Sequence, residues 1–143
     1  MDESRGVMLD AAKLAAFLDE VFPQVRGQMA IERVAPMTAT MRLLTAEQHL
    51  RPGGTVSGPS MFMLADCAFY VAVLAMIGRE ALTVTTSLSI NFMRKPEARE
   101  MIGEARILKL GRSLAVGDVT LTQTGIDGAV AHATCTYAIP PKR

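Results

Sequence analysis

The sequence predicts an α+β fold in which one curved antiparallel sheet of five to six strands wraps a single long buried helix. Three observations predict it. Residues from about Ser60 to Ile77 are apolar on nearly every side and carry one charge, Asp66. Four runs of strand-like alternation follow Gly78, and a loop dense in glycine and proline, Arg51 to Pro59, leads straight into the apolar stretch. A helix that is hydrophobic all round has to be buried. A sheet curling around it is the simplest packing that covers most of its sides.

The elements follow in order. Val7 to Phe22 sets Met8, Leu9, Ala12, Ala15, Ala16 and Leu18 on a loosely helical face that Pro23 stops, which predicts an N-terminal helix over about 7–22. Ile31 to Val34 and then Met37, Ala39, Met41 and Leu43 alternate with polar neighbours, so this stretch reads as one strand bent at Pro36, since proline cannot donate to a ladder. Gly58-Pro59 suits a helix start, because proline is pre-organised for the first turn. Within the helix Ala65, Ala68, Ala72 and Ala75 form a smooth stripe where another backbone could come close, beside a bulkier stripe of Phe62, Phe69, Val73 and Met76.

After Gly78, Leu82 to Phe92 alternates with period two and carries no charge. A wet face usually carries Lys and Glu, so something covers this strand. Met101 to Leu110, Ser113 to Thr122 and Val130 to Ile139 complete a meander, with turns at Gly111-Arg112 and Thr124 to Gly128. In the last run Ala131, Ala133, Cys135, Tyr137 and Ile139 face inward.

At 143 residues the chain fits one domain over 1–143, with a core at about 28–140. Fifteen Lys and Arg against fourteen Asp and Glu give no field suited to a nucleic-acid polymer, although a local basic patch could serve one phosphorylated ligand. Cys67 and Cys135 are too few for a disulfide framework and read as buried thiols of a reducing cytoplasm. The opening Met-Asp-Glu-Ser-Arg lacks the order of a leader. Met61 to Ile77, interrupted by Asp66, reads as short of a membrane span, so a cytoplasmic protein without a membrane partner is expected. His49, His132, Cys67 and Cys135 lack metal-ligand spacing.

Four segments carry a resemblance: Ser57-Gly58-Pro59-Ser60-Met61-Phe62-Met63-Leu64-Ala65-Asp66, the strand from Thr85 to Arg94 with Pro96 just beyond, Gly111-Arg112-Ser113-Leu114-Ala115-Val116, and Ala131 to Tyr137. In this order and spacing, over about residues 45 to 140, the chain resembles hot-dog fold acyl-CoA thioesterases of the phenylacetate-degradation (PaaI-like) type. It departs from that pattern at three places: the family's His is Ser57, its second Gly is Pro59, and an Asn often found six residues before the His is Arg51.

The resemblance implies hydrolysis of an acyl-CoA thioester, with coenzyme A as part of the substrate and no further cofactor. Such chemistry needs a carboxylate to attack or to activate water, and donors for the oxyanion. Asp66 suits the first role and the Gly58 N–H at the helix start the second. At roughly 1.5 Å per residue the two lie on the order of 10–12 Å apart on one helix, so a single site using both draws them from two copies. An obligate homodimer, with dimers pairing into a tetramer, is therefore expected, meeting at the alanine stripe and the uncharged strand. The fold analogue places Thr85 beside the carboxylate as an orienter. Ser57 stands where the family has its His, or serves only as a cap hydroxyl. Arg51 either donates to the thioester or faces solvent. Arg94, Lys95, Arg112 and Ser113 sit where they could meet the phosphates or nucleotide of coenzyme A. The competing readings are a non-catalytic acyl-CoA or small hydrophobic acid binding protein, a dehydratase lacking a well-placed His, and a purely structural dimer.

Overall fold

The computed structural model describes residues 6–141; the opening residues read above for a leader lie outside the described residues. Helix α1 spans Ala11–Val21, four residues later than the apolar pattern suggests. Asp10 is the reason: its carboxylate accepts from the Lys13 N–H at 2.9 Å and starts the helix there. The preceding residues are used otherwise, with the N–H groups of Met8 and Leu9 donating to the Ala75 carbonyl.

The expected bent strand is instead a hairpin of β1 (Met29–Ala35) and β2 (Thr38–Leu43). Pro36 does not bend one strand. It occupies the first central position of a tight turn, for which its ring pre-sets the backbone, and Met37 takes the second at φ 66°. The Met37 carbonyl then accepts from the Ile107 N–H.

The glycine-rich loop is a small hairpin, β3 (Leu50–Arg51) and β4 (Thr55–Val56). It is pinned where the long helix begins. Buried His49 accepts from the Ala46 N–H on Nδ1, pairs its Nε2 with the Gln28 side chain, and offers its carbonyl to the Ser57 N–H at 2.8 Å. Helix α2 then runs Gly58–Ile77, with Pro59 in its first turn. At 20 residues it is long and apolar enough to cross a membrane, longer than the sequence suggests, but here the sheet covers most of it.

Strands β5 (Val84–Phe92), β6 (Met101–Leu110), β7 (Leu114–Thr122) and β8 (Ala131–Ala138) complete a six-stranded antiparallel sheet in the order β1-β2-β6-β7-β8-β5. The inward faces of β8 and β6 follow the sequence alternation. In β5 the register slips between Thr85 and Ser87, so Thr85, Leu88 and Ile90 turn inward together. This is the hot-dog arrangement that the resemblance implies, with α1 added beside β1.

The sheet can approach α2 only where it lacks side chains. The Phe69 ring lies so close to Gly117 on β7 that a Cβ there would come within 2.6 Å of it and 2.0 Å of the Arg106 carbonyl oxygen. Ala68 and Leu64 pack similarly against Gly103 on β6. The alanine stripe is therefore corrected: Ala65, Ala68, Ala72 and Ala75 are fully buried within the chain and admit its own sheet, not a partner. The partly open side of α2 carries Pro59, Phe62, Met63 and Asp66.

We expect Gly117→Ala to lower stability by about 1–3 kcal/mol through overpacking, and Gly6→Ala, which meets nothing within 4 Å, to change it by less than about 0.5 kcal/mol. Chemical denaturation of the two variants checks both.

Candidate active site

Asp66 emerges on the open side of α2 opposite the start of β5 and the end of β8. Two hydroxyls hold it. Thr85 donates to Oδ1 at 2.6 Å, and buried Tyr137 donates toward the same oxygen at 2.5 Å and the Asp66 carbonyl at 2.8 Å. Both side-chain contacts fall on Oδ1. Among the described residues no group claims Oδ2, which leaves that oxygen's lone pairs for a proton or a carbonyl carbon.

The clamp rests on two local features. The β5 irregularity after Thr85 brings Thr85 onto the inner face, which strict alternation with Val84 and Thr86 would not combine with inward Leu88 and Ile90. Tyr137 faces inward by the alternation of β8, and its ring packs at 5.3 Å from that of Phe69. Burial, and then the Asp66 carboxylate, push the Tyr137 phenol well above its ordinary range, so it remains a neutral donor.

The carboxylate lines a cavity of about 260 Å³ whose walls include Val21 and Phe22 from the end of α1, Tyr70, Ala81, Thr83 and Val84. Cys67 also lines it, but burial first and then Asp66 push its thiol up to about 12; Cys135 is likewise raised to about 12. Neither thiol ionises near neutral pH, so neither is a ready nucleophile.

Gly58 opens α2, and its N–H has no acceptor within the helix. It borders a separate, shallow apolar hollow of about 490 Å³ with Pro59, Phe62, Ile90 and Phe92. Gly58 and Asp66 stand about 12 Å apart along the axis, so within one chain they do not meet. Ser57 caps the helix: its hydroxyl accepts from the Ser60 N–H at 3.2 Å and donates to the Ser60 hydroxyl at 2.9 Å. Arg51 is exposed on β3. Arg94 lies over Gly128, and Lys95 beside it is exposed. Arg112 and Ser113 occupy the β6–β7 turn, on a groove of about 840 Å³ near the other end of α2. The pairs Arg94–Lys95 and Arg112–Ser113 flank opposite ends of β8, about 30 Å apart at some 3.3 Å per residue, because the backbone of Arg94 bonds to Val130 and that of Ser113 to Ile139.

Tyr137 and Thr83 were not singled out from the sequence. An inward tyrosine at a strand end was the available signal for the first, since a buried phenol needs a partner. The α1 contribution to the cavity wall had no signal of its own.

The Thioesterase superfamily model matches residues 53–130. No curated protein matches the chain. Among solved structures, a candidate thioesterase from a Silicibacter species is 56% identical over 96% of each chain, with a TM-score of 0.89. A candidate thioesterase related to phenylacetic acid degradation from Ralstonia eutropha is 25% identical, covering 86% of this chain and 98% of its own, with a TM-score of 0.76. A variant of the phenylacetic acid degradation protein PaaI from Thermus thermophilus is 25% identical, covering 82% of this chain and 99% of its own, with a TM-score of 0.72.

The sequence holds two tyrosines, and both phenols are raised, Tyr70 by burial and then by Cys67. Folded protein binds these protons more tightly than unfolded chain, so their contribution to stability is full below the unfolded value of about 10 and is lost as pH rises toward the folded values. We expect ultraviolet difference titration to show tyrosinate appearing only above the ordinary tyrosine range and together with unfolding, and Tyr137→Phe to weaken this alkaline transition.

Proposed function

We propose that this chain, which belongs to the thioesterase superfamily, hydrolyses an acyl-CoA thioester to the free acid and coenzyme A. The observation that carries the reading is a carboxylate clamped through one oxygen by Thr85 and Tyr137, with its other oxygen unclaimed, in the wall of a cavity sized for a small acyl group. In the general-base form, Asp66 Oδ2 takes a proton from water and the hydroxide adds to the carbonyl carbon. The carbonyl electrons move to oxygen, and their return breaks the C–S bond; the departing thiolate takes the proton back from Asp66. In the nucleophilic form Oδ2 itself attacks, the thiolate leaves, and water then opens the mixed anhydride. In both, the hydroxyl clamp fixes the carboxylate before the carbonyl arrives, so little reorganisation is needed in the transition state.

The oxyanion donor is the Gly58 N–H of the partner subunit. Separation along α2 supports this assignment, as does β5. It is an edge strand without charged residues, and Leu82, Val84 and Phe92 around it are exposed at 76, 55 and 52%. Natural edges are usually blunted by charge, so an uncharged one suits pairing with a second copy. Antiparallel pairing of two β5 strands would bring the Gly58 end of one α2 toward Asp66 of the other. It would also bring Arg94 and Lys95 of one chain toward the end of the other that holds Arg112 and Ser113, which makes a joint coenzyme A contact out of residues that one chain keeps apart. The working protein is then a cytoplasmic homodimer, with two dimers stacking into a tetramer, and takes neither nucleic acid nor membrane as partner.

A non-catalytic acyl-CoA binding protein is the second reading. It is favoured by Ser57, whose hydroxyl is engaged at the helix cap, and by Arg51, which is exposed; neither touches Asp66.

Release of free thiol from short, medium and aromatic acyl-CoA substrates separates the two. We expect turnover by the wild type and a loss of at least about 100-fold in Asp66→Asn; saturable binding without turnover would establish the second reading. Gly58→Pro deletes the donor N–H, and Ser57 before it already has the extended backbone, φ −75° and ψ 154°, that a residue preceding proline requires. Its activity should fall by about 100- to 1,000-fold. Equal mixtures of Asp66→Asn and Gly58→Pro subunits, refolded together, should recover about one quarter of wild-type activity, because half the dimers are mixed and each holds one intact shared site. Recovery of none would place both groups in the same subunit's site.

A further inference from the structure

Three N–H groups open α2, since Pro59 has none: those of Gly58, Ser60 and Met61. Ser60 donates to the Ser57 hydroxyl at 3.2 Å and Met61 to the Ser57 carbonyl at 3.1 Å. Of the three, the Gly58 N–H alone has no acceptor among the described residues. Its direction is set by the Ser57–Gly58 peptide, which is planar, so this N–H points opposite to the Ser57 carbonyl. The bonds from Ser60 and Met61 hold that peptide from within the helix. One anchor comes from outside: just beyond the paired residues Leu50 and Val56, the Ser57 N–H donates to the His49 carbonyl at 2.8 Å.

His49 is itself held through its ring, which is buried with the residue only 3% exposed. The Ala46 N–H faces Nδ1 at 2.9 Å, which requires a lone pair there and leaves the ring proton on Nε2 for the Gln28 side-chain oxygen at 2.9 Å. Gln28 in turn donates from its side chain to the Gln24 carbonyl at 3.0 Å, and its own carbonyl accepts from the Leu44 N–H at 2.8 Å. A buried ring with both nitrogens bonded has one orientation. An apolar side chain could fill the same space but would fix no direction.

We propose that His49 is a positioning residue: its ring fixes the β3–β4 hairpin so that the Gly58 N–H is aimed at the carbonyl oxygen of the substrate. This rests on the reading that Gly58 donates to the thioester. His49 does not line the Asp66 cavity and acts only through Ser57.

The test measures kcat, KM and melting temperature for wild type, His49→Leu, His49→Asn, Gly58→Pro and the double variant of His49→Leu with Gly58→Pro, using butyryl-, octanoyl- and phenylacetyl-CoA. His49→Leu should lower kcat about 10- to 100-fold, less than loss of the donor itself, at a KM within about threefold of wild type. His49→Asn, whose amide oxygen can replace Nδ1 as acceptor, should recover most of that loss. In the Gly58→Pro background His49→Leu should cost nothing more, because the group it aims is gone. A full further loss in the double variant overturns the inference, since His49 then acts on stability or on another group. An unchanged kcat in His49→Leu overturns it too. If His49→Leu does not fold, Gln28→Leu, which removes the outer bond of the ring, takes its place in the same comparison. The second readout is the Gly58 amide resonance as non-hydrolysable analogues bind, in which a methylene separates sulfur from the carbonyl. It should move downfield in wild type and markedly less in His49→Leu. If it does so but nothing is hydrolysed, the inference stands and the hydrolytic reading falls. Turnover by wild type without any Gly58 shift overturns the inference alone, and absence of turnover and shift together removes both.

Discussion

A 20-residue helix that is apolar on nearly every side cannot stand in water, and enclosing it is the constraint from which the remaining structure follows. Enclosure needs a sheet curved enough to reach around a cylinder and close enough to leave no void. Gly117 and Gly103 meet the second need by omitting a side chain where Phe69, Leu64 and Ala68 press outward. The buried alanines meet it from the helix side. Six strands cover the helix on most sides but not all. The remaining strip carries Pro59, Phe62, Met63 and Asp66, which is why the single carboxylate of the helix can reach solvent and still be touched by the sheet.

The same geometry makes Asp66 a controlled group. Its Oδ1 is fixed by hydroxyls from two neighbouring strands, β5 and β8, so its orientation is set by the register of the sheet and not by its own rotamer preference. Its Oδ2 faces no competing donor among the described residues. The thiols nearby are raised to about 12 and contribute no alternative nucleophile. Under the proposed function, chemistry at this place is therefore carboxylate chemistry.

Thr85 shows how far sequence reading reaches. Alternation from Leu82 to Phe92 sets the apolar residues on one face and Thr85 on the other, while the family resemblance sets Thr85 beside the carboxylate. The irregularity between Thr85 and Ser87 reconciles them, and nothing in a two-residue period announces one extra residue. Tyr137 was legible as an inward residue but not as the second donor, because its partner lies 71 positions away and only the sheet order brings them together. Pro36 misled for a related reason: a proline breaks a ladder equally well at a bend or at a turn, and the choice depends on whether the two halves pair with each other.

Local chemistry thus determined the elements and the uniqueness of Asp66. An apolar run, a glycine-proline helix start and period-two strands each follow from interactions within a few residues, and a lone charge in such a run is visible without any fold. Tertiary structure decided which face of the helix stays open, which oxygen of Asp66 is held and which is free, that Ser57 is engaged as a cap, and that the basic residues at the two ends of β8 stand apart in one chain. These are relations between groups distant in sequence, set by sheet order and strand register. A linear pattern repeats along one segment and carries no term for them.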